Sequence, residues 1–426
     1  MTRLPPAVVL GIDTPIGLAV VRELGEHGVE VHGIARGPRG IGLYSRFLHR
    51  GYLRPSAPDE LLALLDRIAR DSGAPFLLTV GMGDALAMRA AADAGQLPRL
   101  KPLLAPLDRL ELVNDKAAIC RIAAELGIPV PATWEPASAD LDRPLPPGLS
   151  YPCILKWRDP ELAAGPLSAH DLPLLKTEYA HSPAELARVL ERYRPAGQFP
   201  LVQSYCPGRG LGQMFLMRDG AALLRFQHRR LHEWPPEGGT STLCESVALD
   251  RHPALMAKSE ELLRHVGWQG PAMVEYRHDP ATDRTALMEI NGRFWGSLPL
   301  ASHAGARFAL GTYYALGLER PPPPAPPYRA GLRCRYMIPE TRRLLAIMSP
   351  ARTVQDRTLR FNVPREVLGY LAGFLRPSSR TYVFTVRDPR PFLADMGFIL
   401  RIGLGQAVDK ARRLLRRRAG RAAAGP

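Results

Sequence analysis

The stretch Ala286–Ser297, ALMEINGRFWGS, decides how this chain is read. Apolar residues alternate with Glu289 and Asn291, and a Gly-Arg-aromatic-Trp-Gly run follows. Positions i and i+2 of a strand point to the same side, so Glu289 and Asn291 project together. The segment PAMVEYRHDPATDRTALMEING (271–292) has the pattern of a hairpin, and its first arm can set Glu275 alongside them. Two carboxylates and a carboxamide oxygen, with no thiol or imidazole converging, form a hard-oxygen set that suits Mg2+. Magnesium seldom uses an all-protein cage and shares its shell with phosphates. Cationic phosphate partners are therefore expected elsewhere in the chain.

Lysine usage points to them. Six lysines stand against fifty arginines, so arginine is the default cation and each lysine marks a choice. A compact ammonium binds phosphate as a point charge, which a planar guanidinium does not. Lys116 follows Asn114 and Asp115, either of which can cap a helix whose apolar face holds Ile119, Ile122 and Leu126. A cation in a first helical turn is locally unfavourable, so Lys116 is expected to answer a negative charge. Lys156 ends the apolar strand YPCILKW (151–157), and an unpaired buried cation is costly enough that it must face a partner. Lys176 sits on the segment PLLKTEYA (173–180), read as a further strand, and either contacts phosphate or is solvated.

Around these markers the pattern is α/β. Residues 7–35 read as strand, Gly11/Gly17 turn, amphipathic helix and second strand, followed by a helix at 59–73 and a strand at 75–81. This predicts an open parallel sheet over the first hundred residues. The turn GIDTPIG lacks G-x-G-x-x-G, Arg36 stands where an acid would close the second strand, and no Tyr-x-x-x-Lys pair is present. A hairpin is expected with its turn at Asp219-Gly220, then a mobile loop at PPEGGTSTLCESV (235–247) and a helix at 253–266. The proline-rich run ERPPPPAPPYRAG (319–331) marks a boundary. Beyond it the pattern weakens, and the end of the chain reads as a basic amphipathic helix broken at Gly403 and Gly405.

Composition narrows the class. A chain of 426 residues exceeds what one core usually spans, so two or three domains are expected. No uninterrupted apolar run approaches bilayer length. Five cysteines, odd in number and scattered, favour a reduced, cytoplasmic setting without a thiolate metal site. Of the net charge of +15, the segment 401–426 supplies +7, with eight basic residues against one acidic. That location weakens a nucleic-acid reading and leaves the tail helix three surfaces to dock on: its own protein, which is favoured, a partner, or an anionic surface.

Four stretches in order, NDK (114–116), CILKW (153–157), LVQSYCPG (201–208) and MVEYR…LMEINGRFWGS (273–297), resemble the ATP-grasp superfamily. Within it they are similar to the carboxylate–amine ligase-like branch related to carbamoyl phosphate synthetase and D-alanine–D-alanine ligase. The resemblance implies a Rossmann-like domain at 1–105 and an ATP-grasp domain at 106–318, divided into subdomains 106–198 and 199–318 that clasp the nucleotide. A linker at 319–330 and a basic extension at 331–426 complete the chain. It implies ATP and one or two Mg2+ ions, with Mn2+ as a substitute. Lys116 and Lys156, with Lys176 less firmly, would face the phosphates, and Gln203, Ser204, Tyr205 and Cys206 would form the adenine hinge. Glu275, Glu289 and Asn291 would ligate the metal. Arg293 would stabilise an acyl phosphate, and Arg229 or Arg230 the transferred phosphoryl group, only one of the two pointing inward. The implied reaction couples a small carboxylate to an amine, with no nucleic-acid partner and with a homodimer allowed.

Two features depart from the family's pattern. RDPELAAGPLSAHDL (158–172) has no glycine-dense loop beyond Ala163–Gly165, and the turn PGRGLGQMF (207–215) offers no ribose carboxylate, leaving Gln213 in that position. They open a second reading, a nucleotide-binding protein without turnover. A third reading, an NAD(P)-linked reductase working through the N-terminal domain, ranks below both.

Overall fold

The computed structural model describes residues 3–175, 177–236, 238–349 and 359–398. Lys176 and the basic tail segment from 399 onward lie outside the described residues.

Short, wholly buried apolar runs build the first sheet. Strands β1 (Ala7–Leu10), β2 (Val31–Ala35), β3 (Arg50–Leu53), β4 (Phe76–Thr79) and β5 (Lys101–Pro102) are parallel in the order β3-β2-β1-β4-β5. Three helices connect them, α1 (Pro15–Glu26), α2 (Pro58–Ser72) and α3 (Met82–Asp93). Gly17 lets α1 rest on the β1 turn, since a Cβ there would lie 2.3 Å from the Gly11 carbonyl oxygen. The chain then passes through α4 (Leu107–Asn114) and α5 (Lys116–Glu125).

A four-stranded sheet follows. It contains β6 (Thr133–Trp134), β7 (Cys153–Lys156), β8 (Glu178–Ala180) and β9 (Leu201–Ser204) in the order β6-β9-β7-β8, backed by α6 (Pro160–Ala169) and α7 (Pro183–Tyr193). Trp157, Leu186, Leu190 and Tyr193 fill its core. Ala163–Gly165, considered above as a loop, lies within α6.

The third sheet has seven strands in the order β14-β13-β10-β11-β12-β15-β16. Its members are β10 (Arg209–Arg218), β11 (Ala221–Trp234), β12 (Thr240–Ser246), β13 (Gly270–Asp279), β14 (Arg284–Asn291), β15 (Arg333–Arg335) and β16 (Ser379–Thr381). The β10–β11 turn is where expected, with Asp219 at φ 51° and Gly220 at φ 77°, the pair of positive φ angles that a two-residue hairpin turn requires. The helices of this part are α8 (Pro253–His265), α9 (Leu298–His303), α10 (Phe308–Thr312), α11 (Met337–Met348) and α12 (Val363–Ala372).

One expectation is corrected. The segment 240–246, read as part of a mobile loop, is β12, and six of its seven residues are buried between β11 and β15. The reason is that its small polar residues lie inside: Ser241, Thr242 and Ser246 are buried, and Thr242 and Ser246 donate to Glu340 and the Arg329 carbonyl. Beyond the proline-rich run the described chain packs on the rest of the protein. It supplies β15 and β16, places Tyr382 and Val383 in the central core, and buries Asp388 against the N-terminal sheet. There Asp388 accepts from Arg22 Nε at 3.0 Å, Ser45 Oγ at 2.7 Å and the Arg46 amide at 2.9 Å.

Candidate active site

A cleft of about 560 Å3 lies between the four-stranded sheet and the seven-stranded sheet. The hairpin β13–β14 sets its floor. In the antiparallel register Glu275 stands directly opposite Glu289, and Met273 opposite Asn291. A register shift after Glu275 leaves Met288 as an extra residue, so Tyr276 pairs with Leu287 and both enter the core behind the sheet.

Two carboxylates facing each other across a strand pair repel, and the surroundings compensate. Asn291 Nδ2 lies 3.2 Å from Glu289 Oε1 and 3.5 Å from Glu275 Oε2. Lys116 Nζ is 4.0 Å from Glu289 Oε2, which is the negative charge expected to answer a lysine in a first helical turn. Its helix is capped by Asp115, whose Oδ1 accepts from the amides of Ala117 and Ala118, while Asn114 ends α4 and donates to Asp159 instead. Arg293 donates to Asn291 Oδ1 at 3.2 Å and to the Phe294 carbonyl at 2.9 Å, fixing the carboxamide. Burial lowers the Arg293 pKa, and Glu289 and Glu275 partly restore it.

Arg230 enters the cleft from β11, donating to Glu275 at 2.5 Å and Glu233 at 3.0 Å. Burial opposes its charge, but Glu275 and Glu233 outweigh that and raise its pKa. Its Nε is buried and has no hydrogen-bond partner among the described residues. Lys156, at the end of β7, faces the same space from the other sheet. Burial lowers its pKa, with Glu289 and Glu275 acting the other way. Gln203, Ser204, Tyr205 and Cys206 line the wall after β9. The Gln203 amide donates to Thr133 Oγ1 at 3.0 Å, so its side chain braces β6.

The structure brings together Lys116, Lys156, Arg230, Arg293, Glu275, Glu289, Asn291 and the 203–206 wall, and leaves two expected residues out. Arg229 points to the opposite face of β11, where it pairs with Glu245, as strand alternation requires. Gln213 is wholly buried, bonded to Gln227 and Ser259 far from any ribose position. Gly292 is required by packing. A Cβ there would lie 2.5 Å from the Trp268 ring and 2.7 Å from Val113.

Two cleft residues were not anticipated. Arg277 donates to Glu233 at 3.3 Å and to the Cys206 carbonyl at 3.4 Å. It stands two positions after Glu275, so the rule that joined Glu289 to Asn291 could have found it. Glu233 could not be found that way, because register shifts between Arg230 and Glu233 break the alternation of β11.

Among the described lining residues, five cations (Lys116, Lys156, Arg230, Arg277, Arg293) face three carboxylates (Glu233, Glu275, Glu289). An excess of positive charge in a closed space favours an anion, and paired oxygen ligands within it favour a small hard cation. The oxygens of Glu275, Glu289 and Asn291 are of the donor type that would hold a small hard cation such as Mg2+.

No family profile matches the chain, and no curated protein does. Among solved structures, it is similar to an L-amino acid ligase from Bacillus licheniformis at 15% identity, over 74% of this chain and 75% of that one, with a TM-score of 0.56. It is also similar to the biotin carboxylase domain of the Hydrogenobacter thermophilus 2-oxoglutarate carboxylase, in complex with MgADP, ADP and bicarbonate. That match has 14% identity over 77% and 73% of the two chains, with a TM-score of 0.58. An N5-carboxyaminoimidazole synthetase from Staphylococcus aureus, complexed with ADP, matches at 11% identity over 75% and 79%, with a TM-score of 0.56. At such identities the likeness is one of fold. With its three sheets and these neighbours, the chain has the ATP-grasp fold.

Proposed function

We propose that the protein is an ATP-dependent ligase that activates a small carboxylate as an acyl phosphate and joins it to an amine. The observation that carries this reading is the pairing of Glu275 with Glu289 beside Asn291, inside a cleft where cations outnumber carboxylates.

In this reading Lys116 and Lys156 hold the phosphate chain from two different sheets, so the nucleotide is gripped from both sides. The backbone between Ser204 and Cys206 meets the adenine edge. Glu275, Glu289 and Asn291 hold Mg2+, or Mn2+ in its place, which when bound neutralises charge on the phosphate oxygens. Arg230 meets the phosphoryl group as a substrate carboxylate oxygen bonds to the γ-phosphorus and the bond to ADP breaks. Arg293 steadies the acyl phosphate. The amine then bonds to the acyl carbon, phosphate departs and the nitrogen loses a proton. Fixed donors in a water-poor space supply most of the acceleration in such transfers. A cytoplasmic setting and small-molecule partners accord with this chemistry.

The test is ADP release from Mg-ATP with mixed carboxylates and amines. Glu289→Gln should lower the rate by about a hundredfold or more while the apo melting midpoint stays near wild type. Tight Mg-ATP binding without ADP release on any mixture would favour the non-turnover reading, which the absence of a ribose carboxylate on the turn after Cys206 supports.

A further inference from the structure

The described surface holds one concentration of exposed apolar side chains, and it lies far along the chain from the cleft residues. Helix α12, VPREVLGYLA, has no buried residue although only Arg365 and Glu366 in it are charged. A helix apolar over most of its surface is normally covered. Its orientation is fixed from the inner side. Glu366 accepts from Arg343 at 2.9 Å, the Tyr370 hydroxyl lies 2.8 Å from Thr341 Oγ1, and Arg335 stacks over the Tyr370 ring at 4.7 Å. The outer side therefore presents Leu368, Leu371 and, in the turn that continues the helix, Leu375, at i, i+3 and i+7. They are 69%, 58% and 85% exposed, and Phe374 beside them is 55% exposed.

The exposed charges next to this stripe in the sequence are cationic. Arg365 and Arg376 flank it, and Arg380, Arg387 and Arg390 follow, all exposed. Among the described residues of 337–398 the acids are withdrawn: Glu340 and Asp388 are buried, Glu366 is half-buried against Arg343, and Asp395 is half-buried. In the sequence a further +7 follows from residue 401. Among the described residues no helix is long and apolar enough to cross a membrane.

We propose that this face of α12 docks on an anionic lipid bilayer, the leucine stripe entering the headgroup boundary and the arginines meeting lipid phosphates. Exposed apolar side chains flanked by exposed arginines fit such a surface. A second copy of this chain fits it poorly, because a two-fold contact would set the arginine rim against itself. Nucleic acid would use the arginines and leave the leucines with nothing to bury them. Docking there would hold the ligase against the membrane through β15 and β16, which join this segment to the sheet that carries Arg230.

The experiment is co-sedimentation of the full-length protein with vesicles of phosphatidylcholine alone or with about one-third phosphatidylglycerol. Wild type should partition about tenfold or more in favour of the anionic vesicles, and less so at high salt. The double variant Leu371→Ser/Leu375→Ser should lose about tenfold or more of that binding. Its melting midpoint and ADP release should stay at wild-type level, since both positions are exposed. Three results would overturn the proposal: no vesicle binding by wild type, equal binding to neutral vesicles, or binding untouched in the double variant, which would assign it to the tail alone. A concentration-dependent dimer that the same double variant abolishes would instead give the face to a second copy.

Discussion

Arg230 and Arg229 are neighbours on β11 and leave it in opposite directions. Arg230, with 12% of its side chain exposed, crosses the cleft to Glu275 and Glu233 and still has an unused Nε. Arg229, with 55% exposed, shares Glu245 with Arg333 on the outer face, and burial of Glu245 is more than offset by those two guanidinium groups, which lower its pKa. The outer group is a closed ion-pair cluster whose carboxylate is fully engaged. The inner group is open, with facing carboxylates and surplus cations. Chemistry of similar composition thus serves cohesion on one face and ligand binding on the other, and the difference lies in what is left unsatisfied.

That contrast is broken most directly by removing each arginine in turn. Arg230→Ala should cut ADP release by about a hundredfold or more, the usual cost of deleting a fixed donor to developing charge. It should also destabilise the fold by about 3–5 kcal/mol, because Glu275 and Glu233 lose a buried partner. Arg229→Ala removes a half-exposed pair worth about 1 kcal/mol or less and should leave turnover within about threefold. Equal losses in kcat/KM for the two variants would end the distinction between the faces.

A smaller effect is expected at Lys156. Lys156→Ala should raise the KM for ATP about tenfold with a lesser change in kcat, as befits a group that binds phosphate in both ground and transition states. The stabilisation by Mg-ATP, about 2.7 kcal/mol at a hundred times Kd, should shrink accordingly in thermal melts and vanish with chelator. An unchanged KM would remove Lys156 from the phosphate site and leave Lys116 as the described lysine beside Glu289.

The cleft was legible in the sequence wherever a rule of strand geometry held without interruption. Glu289, Asn291 and Glu275 followed from alternation and a hairpin, and Lys116 and Lys156 from their rarity and from the charge logic of a helix start and an apolar strand. Legibility failed where local irregularity carried the information. The register shifts of β11 hid Glu233, and β12 escaped notice because its buried residues are small and polar and satisfied by long-range partners such as Glu340. The Arg22–Asp388 junction joins residues more than three hundred positions apart, and β15 pairs with a strand far back in the chain, which no local pattern encodes. Gln213 illustrates the converse: its spacing after the hinge was suggestive, yet one face of β10 is core, and the residue is interior.

Glu23 carries the comparison to a carboxylate outside the cleft, where neutral donors replace the cations. It is buried between α1 and α10, accepting from the Ala309 amide at 2.8 Å, the Leu310 amide at 3.1 Å and the Ser302 hydroxyl. In effect a side chain of α1 caps the N-terminus of α10. Burial raises its pKa from 4.5 to about 7, the hydrogen bonds and Arg307 only moderating the rise. The folded state therefore holds more protons than the unfolded one between those values, and stability falls as pH rises across that window. This contribution is complete below pH 4.5 and lost above about pH 7, a change of order 3 kcal/mol by linkage. Glu23→Gln keeps an acceptor for the two amides and has no charge to bury. The midpoint of Glu23→Gln minus that of wild type should thus rise by a few degrees between about pH 5 and about pH 8, with ADP release unchanged at either. A difference that stays constant with pH would show that the donors around Glu23 already hold its ionised form, as the cations do for Glu245, and burial would then not set its titration.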